Sequence, residues 1–278
     1  STIFVTDNLG FIYAYNYEQK RILWAKNNKV PFRSNLKIKD NKLIAADQNN
    51  NILLFNKNDG KVLKSIPTED SKINNSFKNN FSLNKNSIFI LNTYGSLYAI
   101  DDKSYNVKWV VNLNQSLDIN PNNLFNGNQL VNNNDFIVVT SHESTFIINA
   151  SNGSILEKLN IVSQIKPMII NNYLFLVSTN NLLISINIQS GKIVYSYNLS
   201  QIIANYYDIE EKTTFFKSIM IANNRILILT QNSYLLELEL NGNIRNIFKL
   251  SKKAKSNFIF INNSIVYLSN KKRIIILG

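Results

Sequence analysis

Residues 86–109 read NSIFILNTYGSLYAIDDKSYNVKW, and this stretch decides the fold. Two short apolar runs, 88–91 and 96–100, flank the polar corner Thr93-Tyr94-Gly95, which is typical of two β-strands joined by a tight turn. Gly and Asn at such corners tolerate the positive φ that hairpin turns require. A further turn leads to Trp109, so the stretch predicts a small antiparallel sheet.

The same arrangement recurs along the whole chain at a fixed spacing. In six places an Asn before an apolar run stands fourteen residues ahead of an apolar anchor residue, and Ser1 stands fourteen residues ahead of a seventh. The anchors are Tyr15, Phe55, Ile100, Ile148, Ile186, Leu238 and Leu277. Their mean separation of about 44 residues is the length of a four-stranded propeller blade, and the repeats lack helical periodicity.

We therefore predict an all-β protein, a β-propeller in which each repeat supplies four short strands joined by three turns. Residues 1–278 are expected to form a single domain, trimmed at its N-terminus because Ser1 begins inside a strand. The longest segment that could be helical is 203–213, for one or two turns.

The composition excludes several classes of function. The absence of Cys excludes thiol catalysis and Cys-ligated metal sites, and the single His excludes a site with several His ligands. His142 lies between Ser141 and Glu143 at a polar corner, where neighbouring side chains point in different directions, so no catalytic triad is predicted. The pairs Glu69-Asp70 and Glu210-Glu211 are interpreted as solvated loop carboxylates. We predict no catalytic residue, no metal ion and no cofactor.

The net charge is +12, from 30 Lys and Arg against 18 Asp and Glu. Such a charge is suited to an anionic partner such as nucleic acid, a lipid surface or an acidic protein. The 49 Asn, together with abundant Lys and Ile, are typical of an AT-rich genome, and we favour this origin of the charge over a functional basic surface. The densest patches, Lys252-Lys253-Ala254-Lys255 and Lys271-Lys272-Arg273, are each too short for a nucleic-acid footprint, so no nucleic-acid partner is predicted.

Several repeats resemble the quinoprotein-type (PQQ-like) blade, roughly Gly-x-Leu-Tyr-Ala-Leu-Asp followed by Gly-Lys and Trp. The matching residues are Gly10-Phe11-Ile12-Tyr13-Ala14-Tyr15-Asn16 with Trp24, and Gly95-Ser96-Leu97-Tyr98-Ala99-Ile100-Asp101 with Trp109. Weaker copies place Lys64 and Tyr195 at the Trp position. An aromatic residue nine positions beyond the anchor is expected on the outermost strand, so Trp24, Trp109 and Tyr195 are predicted to dock between blades rather than to bind a ligand.

Among such propellers the chain is most similar to the BamB family of outer-membrane assembly lipoproteins. The similarity rests on propeller repeats from end to end, on a last strand that stops at Leu277-Gly278, and on the spacing between Trp24 and Asn41. It implies an eight-bladed ring of which this chain shows seven repeats, with a seven-bladed ring lacking its closing strands as the alternative. It also implies a monomeric, non-enzymatic scaffold that assists the assembly and insertion of β-barrel proteins into the bacterial outer membrane. The expected location is the periplasm, at the inner face of that membrane, with a lipidated Cys upstream of this chain.

The resemblance further implies a protein partner, the barrel protein BamA, at the inter-blade loops. The family contacts it through an apolar Leu-x-Leu-Arg stretch and, before the next blade, through acidic residues. The matching stretch here begins at Ile73 and keeps only that apolar position, while Asp118 is the best acidic counterpart. Phe77, Leu117 and Ile119 could add an apolar patch to this surface. Phe81 and Leu124 are expected instead to begin innermost strands.

Two other functions stay open from the sequence. One is a fragment of a PQQ-dependent dehydrogenase, although the vicinal cysteines found near the cofactor in that family are absent here. The other is the sensor propeller of a larger receptor. The scaffold is the favoured interpretation.

Overall fold

The computed structural model of the protein describes residues 2–70, 79–114, 125, 127, 130–212, 214–261 and 264–277. These residues form seven antiparallel sheets and one helix. Each sheet is built from strands that are consecutive in the sequence, and each coincides with one of the seven repeats. The prediction of an all-β architecture with one sheet per repeat is therefore confirmed.

The first sheet has three strands, β1 Thr2–Thr6, β2 Phe11–Asn16 and β3 Arg21–Asn27. The next three have four each: β4 Lys37–Lys39, β5 Lys42–Ala46, β6 Ile52–Asn56 and β7 Val62–Ile66; β8 Asn80–Leu83, β9 Ser87–Leu91, β10 Ser96–Asp101 and β11 Val107–Asn112; β12 Val131–Asn132, β13 Phe136–Thr140, β14 Thr145–Asn149 and β15 Ile155–Leu159. The fifth and sixth are β16 Met168–Ile170, β17 Tyr173–Val177, β18 Leu182–Asn187 and β19 Ile193–Asn198; β20 Phe216–Ala222, β21 Arg225–Thr230, β22 Tyr234–Glu239 and β23 Ile244–Lys249. The seventh has three, β24 Ile259–Ile261, β25 Ser264–Leu268 and β26 Ile274–Leu277.

The repeat places the strands of the first and last sheets. In the four-stranded sheets the anchor lies on or at the end of the third strand, as Phe55 does on β6. By the same measure β1 to β3 hold the second to fourth positions, and β24 to β26 the first to third. The expected eighth blade is not supported, because the described part of the chain supplies one sheet for each of seven repeats. The seven-bladed alternative agrees with this number.

A β-bulge lies beside the anchor of each of the first six sheets. In the third sheet Ala99 pairs with Trp109, whereas the next residue, Ile100, pairs with Val107, so Lys108 is the extra residue of β11. The same register shift occurs at 14/15, 54/55, 147/148, 185/186 and 237/238. A bulge bends its strand and re-aims the side chains beyond it. It therefore sets the direction of the residue at the Trp position.

The chain divides into two compact units, one of Ser1–Asp135 with Asn149–Ser154, the other of Phe136–Ile148 with Ile155–Gly278. In the four-stranded sheets of both units the second and third strands are largely buried, and β9 is buried over its whole length. The first unit has a cluster that includes Ile44, Ile52, Ile88 and Ile100, and the second has one that includes Ile226, Ile228, Leu236 and Leu238. The near-continuous apolar runs of these strands are explained by burial on both faces. That residues 1–278 form a single domain stays a prediction.

One helix, α1 Leu199–Tyr207, follows β19 directly. It begins where the Asn198 side chain accepts hydrogen bonds from the backbone N–H groups of Ser200 and Gln201, at 3.0 and 3.2 Å. It ends at Asp208, which adopts a left-handed conformation. The sequence predicts a helix at 203–213, whereas the observed helix begins four residues earlier, because the side chain of Asn198 caps it there. None of the described helical residues forms a helix long and apolar enough to cross a membrane.

Candidate partner-binding face and inter-blade contacts

The connections between repeats leave each sheet at one end, which we call the loop end. The corner between the second and third strands lies there, and so does the end of the fourth strand. In the third sheet Leu113 donates its backbone N–H to the carbonyl of Gly95 at 2.8 Å, and in the sixth Leu250 donates to Ser233 at 2.9 Å. In these two sheets the backbone that follows the fourth strand is thus hydrogen-bonded to the corner between the second and third strands.

Each corner is closed by one polar side chain whose role the sequence pattern did not reveal beforehand. In six sheets its oxygen accepts a hydrogen bond, 2.8–3.2 Å long, from the backbone N–H four residues later. These acceptors are Asp7, Asp47, Asn92, Ser178, Thr230 and Ser269. In the shorter corner of the fourth sheet, the Ser141 hydroxyl accepts a hydrogen bond from the backbone N–H three residues later, at Ser144. All six stand eight residues before their anchors, and this spacing is the pattern that could have identified them.

Two of these corner residues are carboxylates in different surroundings. Desolvation acts to raise the pKa of Asp7, but hydrogen bonds from Phe11, Leu9 and Tyr13 outweigh it, and the pKa lies below its usual value. Asp47 is only 3% exposed, and its burial raises the pKa against the hydrogen bonds donated by Asn51 and Asn49. The same corner position thus holds a carboxyl group with a lowered pKa in the first sheet and one with a raised pKa in the second.

The two tryptophans contact the turn between the third and fourth strands of the next repeat. Trp24 donates its indole N–H to the carbonyl of Lys57, and Trp109 donates to that of Ala150, both at 3.2 Å. A Cβ atom on Gly60 would lie 2.6 Å from the ring of Trp24, and one on Gly153 would lie 2.5 Å from that of Trp109. The rings therefore fit because glycine occupies each turn.

Tyr195 makes the corresponding contact between the fifth and sixth sheets. Its hydroxyl donates to the carbonyl of Leu240 at 2.7 Å, and its ring lies 5.1 Å from that of Tyr197. Burial, with a smaller contribution from Tyr197, raises the pKa of Tyr195 to about 12, so the hydroxyl stays a hydrogen-bond donor. Glu157 holds the same position in the fourth sheet and lies against Gly191, so the position accepts a non-aromatic side chain.

The five residues predicted to bind a partner, Ile73, Phe77, Leu117, Asp118 and Ile119, lie outside the described residues, as does Leu124. Phe81 lies on β8, which is the first strand of its repeat and an edge strand of its sheet. The structure does describe what precedes and follows these segments, and both neighbouring regions meet the same corner of the third sheet.

The first of these regions is the segment that ends at Asp70. The Glu69 carboxylate accepts hydrogen bonds from the Asn92 amide at 2.8 Å and the Ser96 hydroxyl at 2.9 Å. The backbone carbonyl of Glu69 accepts from the amide of Asn50 at 2.9 Å, and the Thr68 hydroxyl donates to the backbone of Asn50 at 2.7 Å. Asn50 is fully buried, so this segment is fixed to the second and third sheets through a buried polar group.

The second region is around Phe125. Its backbone N–H donates to the carbonyl of Thr93 at 2.9 Å, and its ring is 6% exposed. A Cβ atom on Gly95 would lie 2.9 Å from that ring, so the ring packs directly on the corner. Residues 92–96 therefore fasten both the segment before Ile73 and the segment after Ile119.

Within the described ranges no group of three or more His, Asp and Glu could hold a metal ion. His142 Nε2 lies 3.3 Å from Glu143 Oε1, and both side chains are largely exposed. This geometry is that of a surface turn.

The repeated sheets with a turn-docked aromatic residue define a β-propeller of PQQ-like repeats. The fold is similar to the crystal structure of BamB from Moraxella catarrhalis, with a TM-score of 0.77, 13% identity and coverage of 99% of this chain and 81% of that chain. It is also similar to the computationally designed Ika8 protein, with a TM-score of 0.74, 9% identity and coverage of 99% and 80%. The sequence profile of the family described as outer membrane protein assembly factor BamB matches residues 1–197, and the chain belongs to this family. A comparison with curated protein sequences gives no match.

Proposed function

We propose that the protein is a non-enzymatic scaffold that binds a partner protein during assembly of β-barrel proteins into a bacterial outer membrane. The family supplies the class of function. The observation that carries the proposal in this chain is the corner at 92–96, to which the segments on either side of the predicted contact residues are both fastened. Loops held on a rigid scaffold are where binding residues are concentrated.

The proposed contacts have two kinds of chemistry. Ile73, Phe77, Leu117 and Ile119 supply apolar side chains to a buried centre, and Asp118 pairs with a basic side chain of the partner. An apolar centre surrounded by charges is the usual anatomy of a protein interface. The proposed partner is the barrel protein BamA, the proposed location is the periplasmic side of the outer membrane, and the protein acts as a monomer.

The test measures affinity for the periplasmic part of the BamA-type protein by biolayer interferometry. We expect Ile73→Asp and Leu117→Asp each to weaken binding at least tenfold, because a carboxylate is placed at an apolar contact, with no change in Tm. Asp118→Lys reverses the charge at the same face and should weaken binding similarly. The matched controls are Val62→Asp, an exposed aliphatic residue at the end of the second sheet opposite the loop end, and Glu18→Lys in the exposed turn after β2.

Equal losses in the contact and control variants would show that binding follows surface charge in general. Unchanged affinity in all three contact variants, with wild-type binding intact, would move the interface elsewhere on the molecule. Absence of any wild-type binding would overturn the proposed partner.

A further inference from the structure

The two basic patches of the sequence, sixteen or more residues apart, meet at the loop end of the seventh sheet. Ala254 and Ser269 form an antiparallel bridge, and the Asn270 backbone N–H donates to the carbonyl of Lys253 at 2.9 Å. The Tyr267 hydroxyl donates to the carbonyl of Lys252 at 3.0 Å. We call the resulting group the basic corner; its members are Lys252, Lys253, Lys255, Lys271, Lys272 and Arg273.

No acidic residue balances this group within its own stretch of sequence. Residues 240–278 contain eight Lys and Arg and no Asp or Glu, and all six members of the basic corner are exposed. Composition bias adds Lys throughout the chain, but it does not gather six cations at one end of one sheet. The basic corner accounts for half of the net charge of +12.

Two side chains of the sixth sheet hydrogen-bond to the backbone segment that carries the basic corner. Lys217 donates its ammonium group to the carbonyl of Ala254 at 2.9 Å, and Ala254 donates its N–H to the Ser233 hydroxyl at 3.0 Å. Desolvation lowers the pKa of Lys217, and the positive charge of Lys253 adds to this effect. The backbone at Ala254 is therefore fixed by hydrogen bonds, and the positive charge of Lys253 lies close enough to lower the pKa of Lys217.

The composition of the basic corner distinguishes a lipid surface from a nucleic acid. Five of its six members are Lys, a point charge without the bidentate fork by which Arg reads bases. The aromatic rings beside it, Phe258 and Tyr267, are buried and offer no stacking surface for bases. A cluster of exposed Lys side chains suits the surface of an anionic bilayer.

We propose that the basic corner binds the surface of a bilayer that contains anionic lipids. This inference goes beyond the proposed function, since it does not involve the partner protein or the corner at 92–96. Each Lys or Arg near such a surface is worth about a fivefold gain in partition. The basic corner would hold the loop end of the seventh sheet against the headgroups.

The test is co-sedimentation of the whole chain with vesicles of phosphatidylcholine alone or mixed with phosphatidylglycerol. The variant Lys253→Glu/Lys271→Glu/Arg273→Glu lowers the net charge by six. The matched control Lys61→Glu/Lys103→Glu/Lys192→Glu lowers it equally, in exposed turns at the opposite ends of other sheets. We expect wild type to bind only the anionic vesicles, the first variant to bind at least about 100-fold more weakly, and the control to lose at most a few-fold.

Equal losses in the two triple variants, or equal binding to neutral vesicles, would overturn the proposal. If duplex DNA binds at the same salt concentration with the affinity seen for anionic vesicles, the basic corner is not specific for lipid, and the proposal is overturned in favour of a general affinity for polyanions. If the triple variant fails to fold, Lys271→Gln/Arg273→Gln in the exposed turn after β25 replaces it, with an expected loss of at least about tenfold. Undiminished vesicle binding by this second variant would also contradict the proposal.

Discussion

Trp109 donates its indole N–H to the carbonyl oxygen of Ala150, 3.2 Å away, and so joins the third sheet to the turn of the next repeat. The ring lies on Gly153, where a Cβ atom would be 2.5 Å from it. One hydrogen bond and one close face contact thus fix the half-buried indole at this junction.

Replacement of Trp109 by Ala should destabilise the fold. Removing an indole from such a contact costs about 3 kcal/mol, through lost apolar burial and the space left behind. Guanidinium denaturation should show a lower midpoint for Trp109→Ala. Glu157→Ala, at the equivalent position of the next sheet, is the control and should change the free energy of unfolding by less than about 1 kcal/mol. A Trp109→Ala variant with unchanged stability but lost partner binding would place the indole on the working surface instead.

Gly153→Ala should be destabilising for two separable reasons. Its φ of +77° is unfavourable for Ala, which costs about 1–2 kcal/mol, and its new methyl group would collide with the Trp109 ring. In a Trp109→Ala background only the first cost remains. The double-mutant cycle, measured by denaturant unfolding, should therefore show a coupling of at least about 0.5 kcal/mol. Strict additivity of the two substitutions would mean that ring and turn do not interact.

Glu69→Gln should loosen the segment that precedes Ile73. The amide keeps one acceptor oxygen for Ser96 or Asn92 but presents an N–H₂ group to the other donor. We expect a loss of about 1 kcal/mol in stability and faster amide hydrogen exchange at 68–70, with weaker partner binding. Asp70→Asn is the neighbouring control. Unchanged exchange at 68–70 would show that the carboxylate does not hold this segment.

The two corner carboxylates should give opposite pH dependences. The pKa of Asp47 is raised in the folded protein, so wild type should lose stability relative to Asp47→Asn as the pH rises above about 4. The pKa of Asp7 is lowered, so wild type should gain stability relative to Asp7→Asn as the pH rises towards about 5. Thermal unfolding from pH 3 to pH 7 gives both slopes. Slopes of the same sign would contradict the contrast in burial.

The regular spacing of the repeats predicts the sheets, whereas the sequence predicts only some of the contacts between neighbouring sheets. A fourteen-residue offset and the corner glycines, such as Gly95, place strands because they reflect local turn geometry. The bulge beside Ile100 could not be read from the sequence, since it is an insertion of one residue whose partner strand must be known. The sequence does not distinguish Asn198 as a helix cap, because this residue also completes the pattern of β19.

The contacts of Glu69 and the grouping of the basic corner are not predictable from local sequence patterns, because they join residues that are distant in the sequence. The contacts of Glu69 join residues more than twenty positions apart, so no local pattern indicates them. Lys253 and Lys271 looked like separate short patches for the same reason, and only the pairing of Ala254 with Ser269 makes them neighbours.

Both tryptophans of the chain, Trp24 and Trp109, belong to the first compact unit. Intrinsic tryptophan emission therefore reports the first unit, which includes the turn at 149–154 on which Trp109 packs, while far-ultraviolet circular dichroism reports the strands of both units. A denaturation curve followed by emission and one followed by dichroism will superimpose only if the two units unfold in a single cooperative step. The placement of two indoles thus gives the chain a built-in optical test of whether its 278 residues behave as one folding unit.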